Sequence, residues 1–165
     1  MNRLGLIRFT PHYRTVRWGG QHIAQFKNIH LEDTHVGESW EISSLEGMET
    51  VIAEGPLSGM IITDLLRNHG EEILGKELHE RFGEKFPLLI KFIDAEDDLS
   101  IQVHPDDKQS NGCGKTELWY IIDAQPGAHI YSGFNQKLTH GEMTRILNER
   151  TITNVLAKHY AQAGD

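Results

Sequence analysis

The sharpest chemical pattern in the chain is the run Ser100-Ile101-Gln102-Val103-His104-Pro105. On an extended strand the side chains alternate between faces, so Ser100, Gln102 and His104 project to one side and Ile101 and Val103 to the other. A second run, Lys115-Thr116-Glu117-Leu118-Trp119-Tyr120, alternates in the same way and puts Lys115, Glu117 and Trp119 on one face. If the two runs pair across the polar loop 105–114, an amide oxygen of Gln102, an imidazole nitrogen of His104 and the Glu117 carboxylate converge on one point. Such a trio suits a divalent metal, since zinc accepts imidazole and carboxylate at about 2.0–2.2 Å and an amide oxygen can complete a mixed set. One carboxylate with two neutral ligands leaves net positive charge on the ion, which favours Lewis-acid chemistry over a purely structural role. Spacing alone leaves a plainer alternative open, with His104 a strand-end histidine and Glu117 a solvated carboxylate.

Other patterns carry less. Gly114-Lys115-Thr116 looks like the end of a phosphate-binding loop, but that pattern needs glycine where the chain has Gln109, and the residues after it form a β-type run with no helix N-terminus to receive phosphate. Cys113 reads as a passive loop thiol. His12, His22, His30, His35, His69, His79, His129, His140 and His159 show no ligand-like pairing, and Glu71-Glu72 reads as a solvated helix face.

The elements that must position these residues are short strands. Val36 to Ser43 alternates, with Glu38, Trp40 and Ile42 on one face and Ser39, Glu41 and Ser43 on the other. Val51–Ala53 is a further brief strand before the Gly55-Pro56 break. Leu65, Leu66, Ile73, Leu74 and Leu78 recur at helical intervals, interrupted at Gly70 and Gly75, which predicts two or three short helices over 63–82. Strands are expected at 86–94, 99–104, 116–123 and 128–134. Thr139 with Glu142 has the form of a capping box opening a helix through Leu147, and a second short helix is expected near 151–159. Closely spaced strands with one helical insertion predict a mainly β fold, a sandwich or barrel of the jelly-roll kind, with C-terminal helices. The 165 residues fit one domain, and Ala161-Gln162-Ala163-Gly164-Asp165 reads like a turn ahead of another strand, so the expectation is a chain truncated after 165.

Composition narrows the function classes. Sixteen Lys and Arg against 24 Asp and Glu give a net charge of −8, which disfavours nucleic acid and anionic membrane as partners. One cysteine rules out an intrachain disulfide framework and a multi-cysteine zinc site. With neither an apolar signal core in the first twenty residues nor an apolar run approaching a membrane span, the expected location is cytoplasmic.

Taken together, Arg17-Trp18-Gly19-Gly20, Gly37-Glu38-Ser39-Trp40-Glu41-Ile42-Ser43, the 86–94 run, Leu99 to Asp106 and Gly114 to Tyr120 resemble type I mannose-6-phosphate isomerase of the bacterial short-chain kind, in family order and out to about Phe134. The resemblance implies a zinc-dependent cupin that interconverts mannose 6-phosphate and fructose 6-phosphate. It implies Gln102, His104 and Glu117 as zinc ligands and Trp18, Glu38, Lys91, Ser100 and Lys115 as substrate-binding residues, Lys115 being also the catalytic candidate. A lysine within an apolar strand also has a structural reading for Lys91, reaching to solvent. To act as a base, Lys115 would need a lowered pKa. The family's fourth ligand (a histidine in a Pro-Ala-Gly-x-x-His run), an arginine and a further carboxylate are not among the 165 residues, so the resemblance implies the N-terminal half of an isomerase. A non-haem iron cupin is a rival, against which Gln102 in place of a histidine argues. A metal-free sugar-phosphate-binding cupin is another. Oligomeric state is not legible.

Overall fold

A computed structural model of the chain describes residues 4–110, 112 and 114–165. Cys113 lies outside the described residues. The chain divides into two compact units, Met1–Ile101 and Gln102–Asp165.

In the first unit, β1 (Phe9–Thr10) pairs antiparallel with β4 (Val51–Ile52), and β2 (His12–Gly20), β3 (Val36–Ile42) and β5 (Ile90–Ile93) form an antiparallel sheet with β3 in the middle. Register sets the chemistry of this sheet, because Arg14 lies opposite Glu38 across β2 and β3, and Trp40 lies opposite Lys91 across β3 and β5. The far end of β2 closes on β3 through glycines. A Cβ on Gly19 would stand 2.4 Å from the Gly37 nitrogen, so the backbones approach there only because Gly19 has no side chain, and one on Gly37 would stand 2.5 Å from the Trp18 ring, so Trp18 packs there only because Gly37 has none. Helix α1 (His22–Lys27) follows β2 and ends at Asn28 in the left-handed conformation. The insertion expected over 63–82 is α2 (Ile62–Leu74) and α3 (Lys76–Phe82), parted at Gly75, whose φ of 76° favours glycine. Ile62, Leu65 and Leu66 of α2 join Ile23, Val36, Trp40 and Ile52 in the buried core.

The second unit pairs β6 (His129–Phe134) with β7 (Leu156–Tyr160), antiparallel, around α4 (His140–Glu149). The capping box at Thr139 is present, with the Glu142 amide donating to Thr139 Oγ1 and the Thr139 amide donating to the Glu142 carboxylate. Ile146 and Val155 are buried. Mainly strands in small sheets, with few helices, is the fold class the sequence predicts.

Four element boundaries depart from expectation. The strand expected over 86–94 is limited to 90–93, because Phe86 instead exchanges hydrogen bonds with the Ser44 hydroxyl and Pro87 has no N–H to offer a ladder. The runs 99–104 and 116–123 form no ladder strands. The helix expected near 151–159 is one 3₁₀ turn (Ile152–Val155) leading into β7, since left-handed Arg150 ends α4 and the chain from Leu156 onward pairs with β6.

Candidate functional site

In the second unit the two motif runs meet although neither is a ladder strand. The loop between them is tied by its own polar groups: Asp106 Oδ1 accepts from the Gln109 amide at 2.8 Å, and Asp107 Oδ1 accepts from the Gly114 amide at 3.0 Å. The Lys115 amide then donates to the Pro105 carbonyl at 3.1 Å, which sets the two runs side by side. As a result His104 Nε2 lies 3.1 Å from Glu117 Oε2, and Lys115 Nζ lies 3.6 Å from the same oxygen. Trp119 donates its indole N–H to the other carboxylate oxygen, Oε1, at 3.1 Å. That bond orients Glu117 so that Oε2 faces the imidazole and the ammonium. Partial burial pushes the Glu117 carboxyl up, and the opposing charges of His104 and Lys115, with the hydrogen bonds from Trp119 and His104, more than offset it, so the group lies below the usual carboxylate range.

The residues fit a divalent cation. Two donors on a tetrahedral ion at about 2.1 Å each lie roughly 3.4 Å apart, and the imidazole nitrogen and carboxylate oxygen stand at 3.1 Å. Among the described residues no three His, Cys, Asp or Glu side chains cluster as a metal cage. Gln102 and Ser100 both have interaction partners of their own.

In the first unit a second polar cluster surrounds Glu38, whose side chain is 9% exposed. Lys91 Nζ is 2.8 Å from Oε1, while Arg14 Nη1 at 3.0 Å and the Trp40 indole N–H at 2.8 Å both donate to Oε2. Burial pushes this carboxyl up, but the Lys91 and Trp40 hydrogen bonds and the Lys91 and Arg14 charges pull it further down, so it lies below the usual carboxylate range. Two cations on one carboxylate leave the cluster one positive charge in excess. Lys91 therefore does not simply reach to solvent; it ends on Glu38. Trp18, half-buried, lays its ring over Gly37 and accepts the Glu96 amide at its carbonyl.

Sequence reasoning missed three residues. Arg14 reaches Glu38 through a cross-strand register that no local pattern reveals. Trp119 was legible as a neighbour of Glu117 on one face, but its role as a donor was not. Asp94 is buried and accepts from both the backbone N–H of His22, at 2.6 Å, and its ring Nδ1, at 3.1 Å, tying the start of α1 to the end of β5.

Residues 6–137 match the family model described as phosphomannose isomerase type I, catalytic domain. The chain is 33% identical over 162 residues to mannose-6-phosphate isomerase ManA of Bacillus subtilis strain 168, covering 95% of this chain and 49% of that protein. It is 32% identical over 152 residues to mannose-6-phosphate isomerase of Streptococcus mutans, covering 90% and 46%. The crystal structure of mannose 6-phosphate isomerase from Bacillus subtilis superposes with a TM-score of 0.84 at 32% identity, over 96% of this chain and 50% of that one. The chain thus spans about half the length of these relatives.

Proposed function

The chain belongs to the type I phosphomannose isomerase family, and from that premise we propose that it supplies part of a zinc-dependent aldose–ketose isomerase interconverting mannose 6-phosphate and fructose 6-phosphate. The observation that carries the proposal is the meeting of His104 Nε2 and Glu117 Oε2 at 3.1 Å, with Lys115 beside the same oxygen, inside the stretch that matches the family.

The reaction removes a proton from the carbon beside a carbonyl and returns one to the neighbouring carbon, through an enediol or enediolate. Gln102, His104 and Glu117 would hold the zinc, which when bound supplies Lewis-acid polarisation of substrate oxygens. Trp119 keeps the Glu117 carboxylate aimed. Lys115, whose ammonium ends beside that carboxylate, offers charge to a sugar hydroxyl or to phosphate and is the catalytic candidate of this chain. Ser100 contributes a hydroxyl. Taken by itself, the Glu38 cluster of the first unit presents a carboxylate fixed by three donors and one cation in excess, which suits an anionic group. Trp18 offers an apolar face. The soluble substrate accords with a cytoplasmic setting; among the described residues no helix is long and apolar enough to cross a membrane.

Calorimetric titration of mannose 6-phosphate into the protein, with zinc and then with chelator, tests the reading. Binding that requires zinc and disappears in Glu117→Gln is the expected result. Equal affinity after chelation would instead identify a metal-free sugar-phosphate binder, and stoichiometric iron with oxygen uptake would identify a non-haem iron cupin. The 165 residues alone are expected to bind zinc weakly and to show no measurable isomerase turnover; robust turnover would mean that the essential groups have been misassigned.

A further inference from the structure

His104 and Glu117 sit on runs that form no ladder, so strand pairing does not bring them together and the loop between them must. Two kinds of tie shape that loop. Asp106 and Gln109 bond each other reciprocally, the Gln109 amide to Asp106 Oδ1 at 2.8 Å and the Asp106 amide to Gln109 Oε1 at 3.3 Å, which turns the chain at the start of the loop. Asp107 then reaches across it. Its carbonyl accepts from the Gly112 amide at 2.7 Å, and its Oδ1 accepts from the Gly114 amide at 3.0 Å. Gly114 precedes Lys115, whose own amide donates to the Pro105 carbonyl at 3.1 Å. The Asp107 carboxylate therefore fixes the residue from which the Lys115–Glu117 run departs. The fit there is close: a Cβ on Gly114 would stand 2.7 Å from the Asp107 nitrogen and 2.8 Å from its Oδ1. Gly114 does not have a positive φ, so glycine is needed at this position for room and not for its backbone angle.

We propose that Asp107 is a positioning residue for the cation site: by holding the Gly114 amide, its carboxylate closes the loop so that Glu117 meets the His104 imidazole before an ion binds. A free loop must lose conformational entropy when an ion gathers its ends, whereas a tied one has already lost it on folding. Asp107 acts through Gly114 and not on the ion, since among the described residues no His, Cys, Asp or Glu completes a three-member cluster with His104 and Glu117. The proposal rests on the metal reading given above and deepens it.

Zinc affinity, measured by competition with a chromophoric chelator, tests it in wild type, Asp107→Ala, Asp107→Asn and Gly114→Ala. In zinc-free samples of each, the nuclear Overhauser contact between the His104 ring protons and the Glu117 side-chain methylenes is followed as well. Asp107→Ala and Gly114→Ala are expected to bind zinc about tenfold or more weakly and to lose the contact, with circular dichroism unchanged. Asp107→Asn keeps an oxygen that can accept from Gly114, so its affinity should stay within about threefold of wild type and the contact should persist. Wild-type affinity in Asp107→Ala overturns the proposal. So does a loss in Asp107→Asn as large as in Asp107→Ala, which would give the role to the charge of Asp107 and not to its bond. A wild type that shows the contact yet takes no zinc defeats the metal reading and the proposal with it, and the zinc-free contact keeps that failure distinct from a failure of Asp107 to position the pair.

Discussion

Glu38 shows how a buried carboxylate is kept charged: Arg14, Lys91 and the Trp40 indole all donate to it, and their combined pull exceeds the burial penalty. Glu38→Gln keeps the shape but leaves two cations without a counter-charge, with an expected loss of about 1–3 kcal/mol in urea unfolding at neutral pH. The pH dependence has a definite sign. Because the folded-state pKa lies below the unfolded one, the stabilisation is complete above the usual glutamate range near about 4.3 and is lost as pH falls through the lower folded value. The acid limb of a stability–pH curve should therefore be shallower in Glu38→Gln than in wild type, and superimposable limbs would count against this account. Of this cluster, the sequence reading held Glu38, Lys91 and Trp40 but not Arg14, because strand alternation shows which residues share a face and is silent on which strand lies alongside.

Gly19 and Thr139 test two elements. Gly19→Ala puts a Cβ against backbone, 2.4 Å from the Gly37 nitrogen and 2.5 Å from the His35 carbonyl oxygen, so β2 and β3 must part. A destabilisation of about 1–3 kcal/mol is expected from denaturant midpoints, with the Trp18 and Gly37 approach disturbed as well. Thr139→Ala removes the cap of α4 and should cost about 1 kcal/mol, read as a lowered melting temperature; an unchanged value would mean the capping box contributes nothing. The capping box, the paired helices of the 63–82 insertion and the strand at 36–42 were legible because their signals are local. The runs 99–104 and 116–123 were read as strands from alternation, which reports a preference for extended chain, whereas a ladder also needs a partner strand. Their side chains nevertheless meet at His104 and Glu117, because the Pro105–Lys115 bond and the tied loop do what a ladder was expected to do. Near 151–159 the helix expectation failed because residues 156–160 pair with β6, a partner that the local sequence does not show.

Across the whole molecule, a net charge of −8 repels anions, so any anionic ligand has to be met by local cations rather than by the general field. What identified the family was the order of several short motifs along the chain, more than any one of them. Gln102, His104 and Glu117 are the proposed ligands of a divalent cation. Equilibrium dialysis against zinc, on wild type and on Gln102→Ala, His104→Ala and Glu117→Gln, tests it most directly, with circular dichroism confirming that each variant stays folded and the exposed Glu54→Gln as control. One zinc per chain is expected, bound at least about tenfold more weakly in each of the three variants and unchanged in the control. Zinc bound by His104→Ala and Glu117→Gln as by wild type would contradict it.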